Sequence, residues 1–132
     1  MAAAGFVETV RRMLVGQPAD VPSELVRRFP ELERARFRRG GLPVHVGGWC
    51  LGQASVSAIT LWRTIWLADD APLAPELLLH EIRHVDQFEA SPAFPIRYLW
   101  ESVRRGYVRN RFEVDARAYA ASRLRAARQP TL

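Results

Sequence analysis

The chain has 132 residues, enough for one domain with a modest core. A hydrophobic share of 48% argues against a disordered chain, and a single cysteine, Cys50, rules out both an intrachain disulfide framework and a cysteine-based zinc knuckle. The net charge of +5 comes from 19 arginines, with no lysine, set against 14 acidic residues. Acids interrupt the basic stretches and no nucleic-acid-binding motif accompanies them, so a solvated basic surface is expected and no nucleic-acid partner.

Phe6, Val7, Val10, Met13 and Leu14 recur at helical spacing, which predicts an amphipathic helix over 5–15 stopped by Gly16-Gln17-Pro18. A short helix is expected from Pro22-Ser23-Glu24 to Arg28, ended by Phe29-Pro30, and a further helical turn over 31–39 before Gly40-Gly41. The pattern then turns β-branched and aromatic. Val44-His45-Val46, the run 54–61 and Thr64-Ile65-Trp66-Leu67 predict two or three short strands, with Gly47-Gly48 between the first two. Pro75 suits the first turn of a helix running to Phe88 or Glu89 and closed by Ser91-Pro92. Pro95 opens another, through Tyr98, Leu99, Trp100 and Val103 to Gly106. Asn110 caps a long last helix reaching Arg128, with Gln129-Pro130 beyond it.

No repeat, low-complexity tract or dividing linker interrupts this order, so residues 1–132 are expected to form one α+β domain. Its expected plan is a helical part over 1–40, short strands over 41–70, and helices over 75–89, 95–105 and 110–128. The small sheet, antiparallel or mixed, would lie on a helical layer. No stretch approaches the ~20 apolar residues of a membrane span, and residues 1–8 lack a charged segment followed by a long apolar run. A cytoplasmic protein without a membrane span is therefore expected. Cys50 reads as a small buried hydrophobe, and Trp62, Trp66, Tyr98 and Trp100 as core aromatics, with a place in a substrate pocket as the lesser reading.

The chemistry concentrates in His80-Glu81-Ile82-Arg83-His84, an HExxH motif on an expected helix. Residues four apart share a helical face, so both imidazoles can reach one metal ion, and Glu81 can act as general base toward a metal-bound water. Two of the chain's three histidines fall in this pattern. A zinc ion with one open position needs a third protein ligand. His45, between two valines, reads as structural or as a substrate contact. Asp86 lies two residues past His84 and so points elsewhere, and Glu89 is on the same helix. Glu113 is the stronger candidate, since it shares a helical face with Ala116 and Ala120, whose small side chains permit close approach to the motif helix. Asn110-x-x-Glu113 also fits a capping box, which would turn the Glu113 carboxylate back on its own helix.

Taken together, HEIRH and the later NRFEVDARAYA resemble the gluzincin metallopeptidases, in which a glutamate on a later helix completes the site. Phe112-Glu113-x-x-Ala116 is similar to the glutamate helix of the CAAX prenyl protease and heat-shock membrane protease group, whose membrane spans this sequence lacks. The stretch also resembles small bacterial HExxH domains, with Thr60 and Ile65 on a preceding strand and Gln87 after the motif. The resemblance covers roughly residues 55–120. It implies a zincin-like fold, zinc on His80, His84 and Glu113, and Glu81 as base. Two positions depart from it: Arg83 is charged where such proteases carry an uncharged residue, and Arg117 replaces an aspartate. Asp115 would then be the carboxylate that orients a ligand histidine, or the third ligand itself.

The resulting expectation is a zinc-dependent peptide-bond hydrolase acting on a peptide or protein, in which Glu81 takes a proton from the zinc-activated water and passes it to the leaving amine. The strand just before the motif helix would offer an edge for an extended substrate. Tyr107 is the first candidate for steadying the developing oxyanion, ahead of Tyr119, His45 and Arg109. The rival expectation is a zinc-binding interaction or regulatory domain without catalysis, motivated by the small size and by Arg83. The oligomeric state is left open by the sequence.

Overall fold

The computed structural model of the chain describes residues 2–50 and 57–129. In chain order the elements are α1 (Ala2–Val15), β1 (Gln17–Pro18), α2 (Ser23–Arg28), a 3-10 turn (Pro30–Arg34), β2 (Arg36–Arg39) and α3 (Leu42–Cys50). They continue with β3 (Ala58–Leu61), β4 (Thr64–Leu67), α4 (Pro75–Ala90), α5 (Phe94–Arg105) and α6 (Arg111–Arg128). The architecture is α+β, with a four-stranded mixed sheet in the order β1-β2-β4-β3. β3 and β4 form a tight antiparallel hairpin, β2 runs parallel to β4, and β1 adds antiparallel to β2.

Two expectations for the first half fail for identifiable reasons. The segment 31–39 is helical only in its 3-10 turn; Arg36–Arg39 is a strand whose Phe37 is buried and whose residues register with Thr64–Leu67. Arginine has good helix propensity, but pairing with a central strand overrides it. Val44-His45-Val46 is not a strand either but part of α3. A short apolar run does not distinguish strand from buried helix by period, and Pro43 in the first turn favours the helix. Gly47 and Gly48 therefore lie within α3 and do not separate strands. The expected strand over 54–61 is seen as Ala58–Leu61, while 54–56 and the side chain of Cys50 lie outside the described residues.

The core forms where α4 crosses the sheet. Leu78, Leu79, Ile82 and Val85 of α4 meet Ile65 and Leu67 of β4, with Phe29, Leu32 and Phe37 filling one side and Ala120 of α6 the other. Pro75 at the start of α4 sacrifices no hydrogen bond that the helix needs, and Ser91, extended ahead of Pro92, ends it. At α6 the Asn110 side chain accepts from the Phe112 amide at 2.9 Å, capping the helix. The same side chain donates to the Tyr98 carbonyl at 3.1 Å and to the Ser102 hydroxyl at 2.9 Å, which ties α6 to α5.

Gly16 and Gly41 mark a close approach between the end of α1 and the start of α3. Both have positive φ, and a Cβ on Gly16 would stand 2.3 Å from the Arg39 carbonyl oxygen. α1 itself buries no residue. Among the described residues no helix is long and apolar enough to cross a membrane.

Candidate metal centre

The HExxH spacing places His80 and His84 one turn apart on α4, facing the first turn of α6. Their Nε2 atoms lie 3.2 Å apart. Glu113 reaches both from α6, with Oε2 at 2.8 Å from His80 Nε2 and Oε1 at 3.1 Å from His84 Nε2. These are hydrogen-bond separations, and they draw the carboxylate of one helix onto the two rings of the other. Ala116 and Ala120, fully buried on the same face of α6, allow this approach. The alternative capping box does not form. The Asn110 amide donates to the Tyr107 carbonyl, while both Glu113 oxygens are turned toward α4 and α5.

The donor atoms of His80, Glu81 and His84 all lie within 4.8 Å of one another, so this group could hold a metal ion. Two carboxylates thus flank the imidazole pair, and they are held differently. Glu113 touches both rings, whereas Glu81 is buried and accepts from the Thr60 hydroxyl at 2.6 Å. Thr60 lies on β3, so the sheet orients the glutamate of the motif.

Gln87 positions His84. Its amide nitrogen donates to the Phe112 carbonyl at 3.0 Å and to Asp115 at 2.9 Å. Both partners are acceptors, so the amide oxygen must face the other way, where it accepts from His84 Nδ1 at 2.8 Å. With its proton held on Nδ1, the neutral ring would offer the Nε2 lone pair toward the centre. Asp115 therefore reaches His84 through Gln87, and its second partner is Arg83 at 2.8 Å. Burial disfavours charge on His84, but its contact with Glu113 and the nearby Glu81 carboxylate outweigh that and raise its pKa to about 9. Glu113 is likewise opposed by burial, yet the two histidines hold its carboxyl well below the usual range.

A pocket of about 220 Å³ opens over these groups. Its polar floor carries Glu81, His84, Glu113, Thr60, Tyr98 and Tyr107, and its walls include Ile59, Leu61, Phe88, Phe94 and Leu99. Tyr107 is the only one of the four oxyanion candidates among these lining residues. His45 is exposed on α3, Arg109 is exposed, and the Tyr119 hydroxyl donates to Glu31 at 3.2 Å. Burial and the Glu113 charge push the Tyr107 phenol upward, so it keeps its proton.

Tyr98 stands in a different place from the core position expected of it. It lines the pocket, and its hydroxyl donates to Glu113 at 2.6 Å. No spacing rule links it to the motif; only the docking of α5 on α6 does. Trp62 and Trp100 also leave the core and are exposed, while Trp66 is half-buried and donates to the Val15 carbonyl. The expected substrate edge also moves by one strand. β4 precedes the motif helix but is internal, between β2 and β3, and the strand at the edge beside the pocket is β3. Comparison with family models, with curated proteins and with solved structures found no match to this chain.

Proposed function

We propose that this chain is a zinc-dependent peptidase of zincin-like plan, with His80, His84 and Glu113 as zinc ligands and Glu81 as general base. The observation that carries the reading is the meeting of Glu113 with both imidazole Nε2 atoms across two helices, while Glu81 stands beside them with a different partner. Two carboxylates with separate anchors suit two roles: one held against the donors, the other kept at the pocket floor. Bound by these ligands, zinc would supply Lewis acidity toward a scissile carbonyl and lower the pKa of a water.

Within that scheme Glu81 accepts the proton of the attacking water and returns it to the leaving amine, with Thr60 fixing the carboxylate for the transfer. Tyr107, keeping its phenolic proton, donates a hydrogen bond to the developing oxyanion. Among the described residues no strand pairs with the outer edge of β3, which lies along the pocket and suits an extended peptide whose backbone would add to the sheet.

The test begins with metal analysis of the purified chain and continues with peptide-library turnover. Glu81→Gln should retain the metal and lose hydrolysis by about a hundredfold or more. Glu113→Ala should lose zinc under conditions in which Asp115→Ala keeps it. An unchanged rate in Glu81→Gln rejects the mechanism. Zinc bound at His80 and His84 with no cleavage by the parent chain supports the alternative, a non-catalytic zinc-binding interaction domain.

A further inference from the structure

α5 has its polarity reversed relative to an ordinary surface helix. Helices at a protein surface turn their apolar stripe inward and their charges outward. Here the inward face carries Phe94, Tyr98 and the buried Glu101. The outward face carries Ile96, Leu99, Trp100 and Val103, with exposures of 74%, 56%, 63% and 82%. Their spacing of i, i+3, i+4 and i+7 makes one continuous stripe along the helix, and Val108 is exposed just past its end. A contiguous apolar stripe of this kind marks a contact surface.

The charges around it are of one sign. Arg97, Arg104, Arg105, Arg109 and Arg111 are all exposed, and the one acid in 94–111 is Glu101, buried with Arg105 at 3.4 Å and Arg111 at 3.8 Å. Among the described residues Arg104 and Arg109 make no ion pair. A second copy of the chain is a poor occupant, because a two-fold contact would set like charges against each other. An apolar stripe with a central tryptophan, flanked by arginines and lacking exposed acid, has the composition of helices that lie in the headgroup layer of a bilayer.

We propose that α5 docks this protein on an anionic lipid surface, with Ile96, Leu99, Trp100 and Val103 entering the acyl boundary and the arginines meeting lipid phosphates. Leu99 belongs both to this stripe and to the wall of the pocket, so docking sets the pocket beside the lipid surface. Trp62, exposed at the turn between β3 and β4, borders the same region through ring contacts to Phe88 at 5.4 Å and from Phe88 to Phe94 at 4.6 Å. Docking requires no metal in the site, so it stands apart from the peptidase reading.

Flotation of the full chain with vesicles tests it. The parent should float with mixed phosphatidylcholine–phosphatidylglycerol vesicles, stay behind with phosphatidylcholine alone, and detach as salt is raised. Val103→Asp should reduce the bound fraction on the order of tenfold, and Arg104→Glu by about fivefold or more. Both positions are exposed, and matching circular dichroism would show that the fold is kept. Phe6→Asp with Met13→Asp, on the exposed face of α1, should leave flotation unchanged. Equal capture by neutral vesicles, or no capture by anionic ones, overturns the proposal. Loss through the α1 substitutions and not through α5 also overturns it. So does a dimer in light scattering that Val103→Asp dissolves, because the stripe is then a contact between copies.

Discussion

At the scale of single residues, Gln87 has the clearest leverage on the centre. Its amide is locked by two acceptors, the Phe112 carbonyl and Asp115, and this leaves its oxygen to hold the Nδ1 proton of His84. Gln87→Leu keeps much of the volume and removes all three bonds. Its metal affinity is expected to fall about 10- to 100-fold, as removal of the groups that orient a ligand histidine commonly does. Competition with a chromophoric chelator measures this, and unchanged affinity would show that His84 needs no such support. The histidines and Glu81 were legible in the sequence because their spacing states a geometry. Gln87 was visible only as a resemblance and Tyr98 only as a lesser pocket reading; its contact with Glu113 was not legible, because it arises from the docking of two separate helices.

Between elements, the decisive contact is α4 against α6. Ala116 is fully buried one turn beyond Glu113, and the helices can approach there because the side chain is a methyl group. Ala116→Leu should force the pair apart, costing about 1–3 kcal/mol by overpacking, and withdraw Glu113 from the imidazoles. Ala118→Leu, on the exposed side of α6, should stay within about 0.5 kcal/mol. Thermal unfolding and metal titration of the two variants check both halves, and equal destabilisation would contradict the packing argument. α4, α5 and α6 were legible because Pro75, Pro95, Gly106 and Asn110 punctuate them. β2 and α3 were misread because arginines in a strand and valines in a helix answer to partners distant in the chain.

For the molecule as a whole, sheet order decides where the pocket lies, and this was the least legible property. The parallel pairing of β2 with β4 leaves β3 outermost, and no local signal announces it. The chain's stability should also carry an acid limb. Glu31 accepts from Arg123 at 2.6 Å and from Tyr119, joining the 3-10 turn to α6; although burial opposes it, these contacts lower its pKa. Asp115 is lowered by Arg83. A carboxylate depressed in the folded state binds its proton more readily once unfolded, so its contribution is complete above the unfolded pKa of ~4.5 and is lost as pH falls toward the folded value. On the acid side, melting temperatures in chelator should drop below about pH 4.5, more shallowly in Glu31→Gln. The same pH slope in that variant would remove Glu31 from the account.

The joint between Gly16 and Gly41 also bears on which substitutions the chain tolerates. At either position any side chain meets backbone, within 2.3 Å at one and 2.7 Å at the other, and backbone has no rotamer by which to yield. Gly106 has open space around it, but its φ of 79° and ψ of 165° lie in a region essentially reserved for glycine, so a non-glycine residue there is strained by about 1–3 kcal/mol without any clash. Gly5, with nothing within 4 Å inside α1, should gain roughly 0.5–1 kcal/mol from alanine. Saturation mutagenesis scored by soluble yield should therefore rank the four glycines in three tiers: 16 and 41 intolerant, 106 graded, 5 permissive. A library in which position 16 accepts alanine as freely as position 5 would mean that the end of α1 can part from the Arg39–Gly40 backbone without cost to the fold.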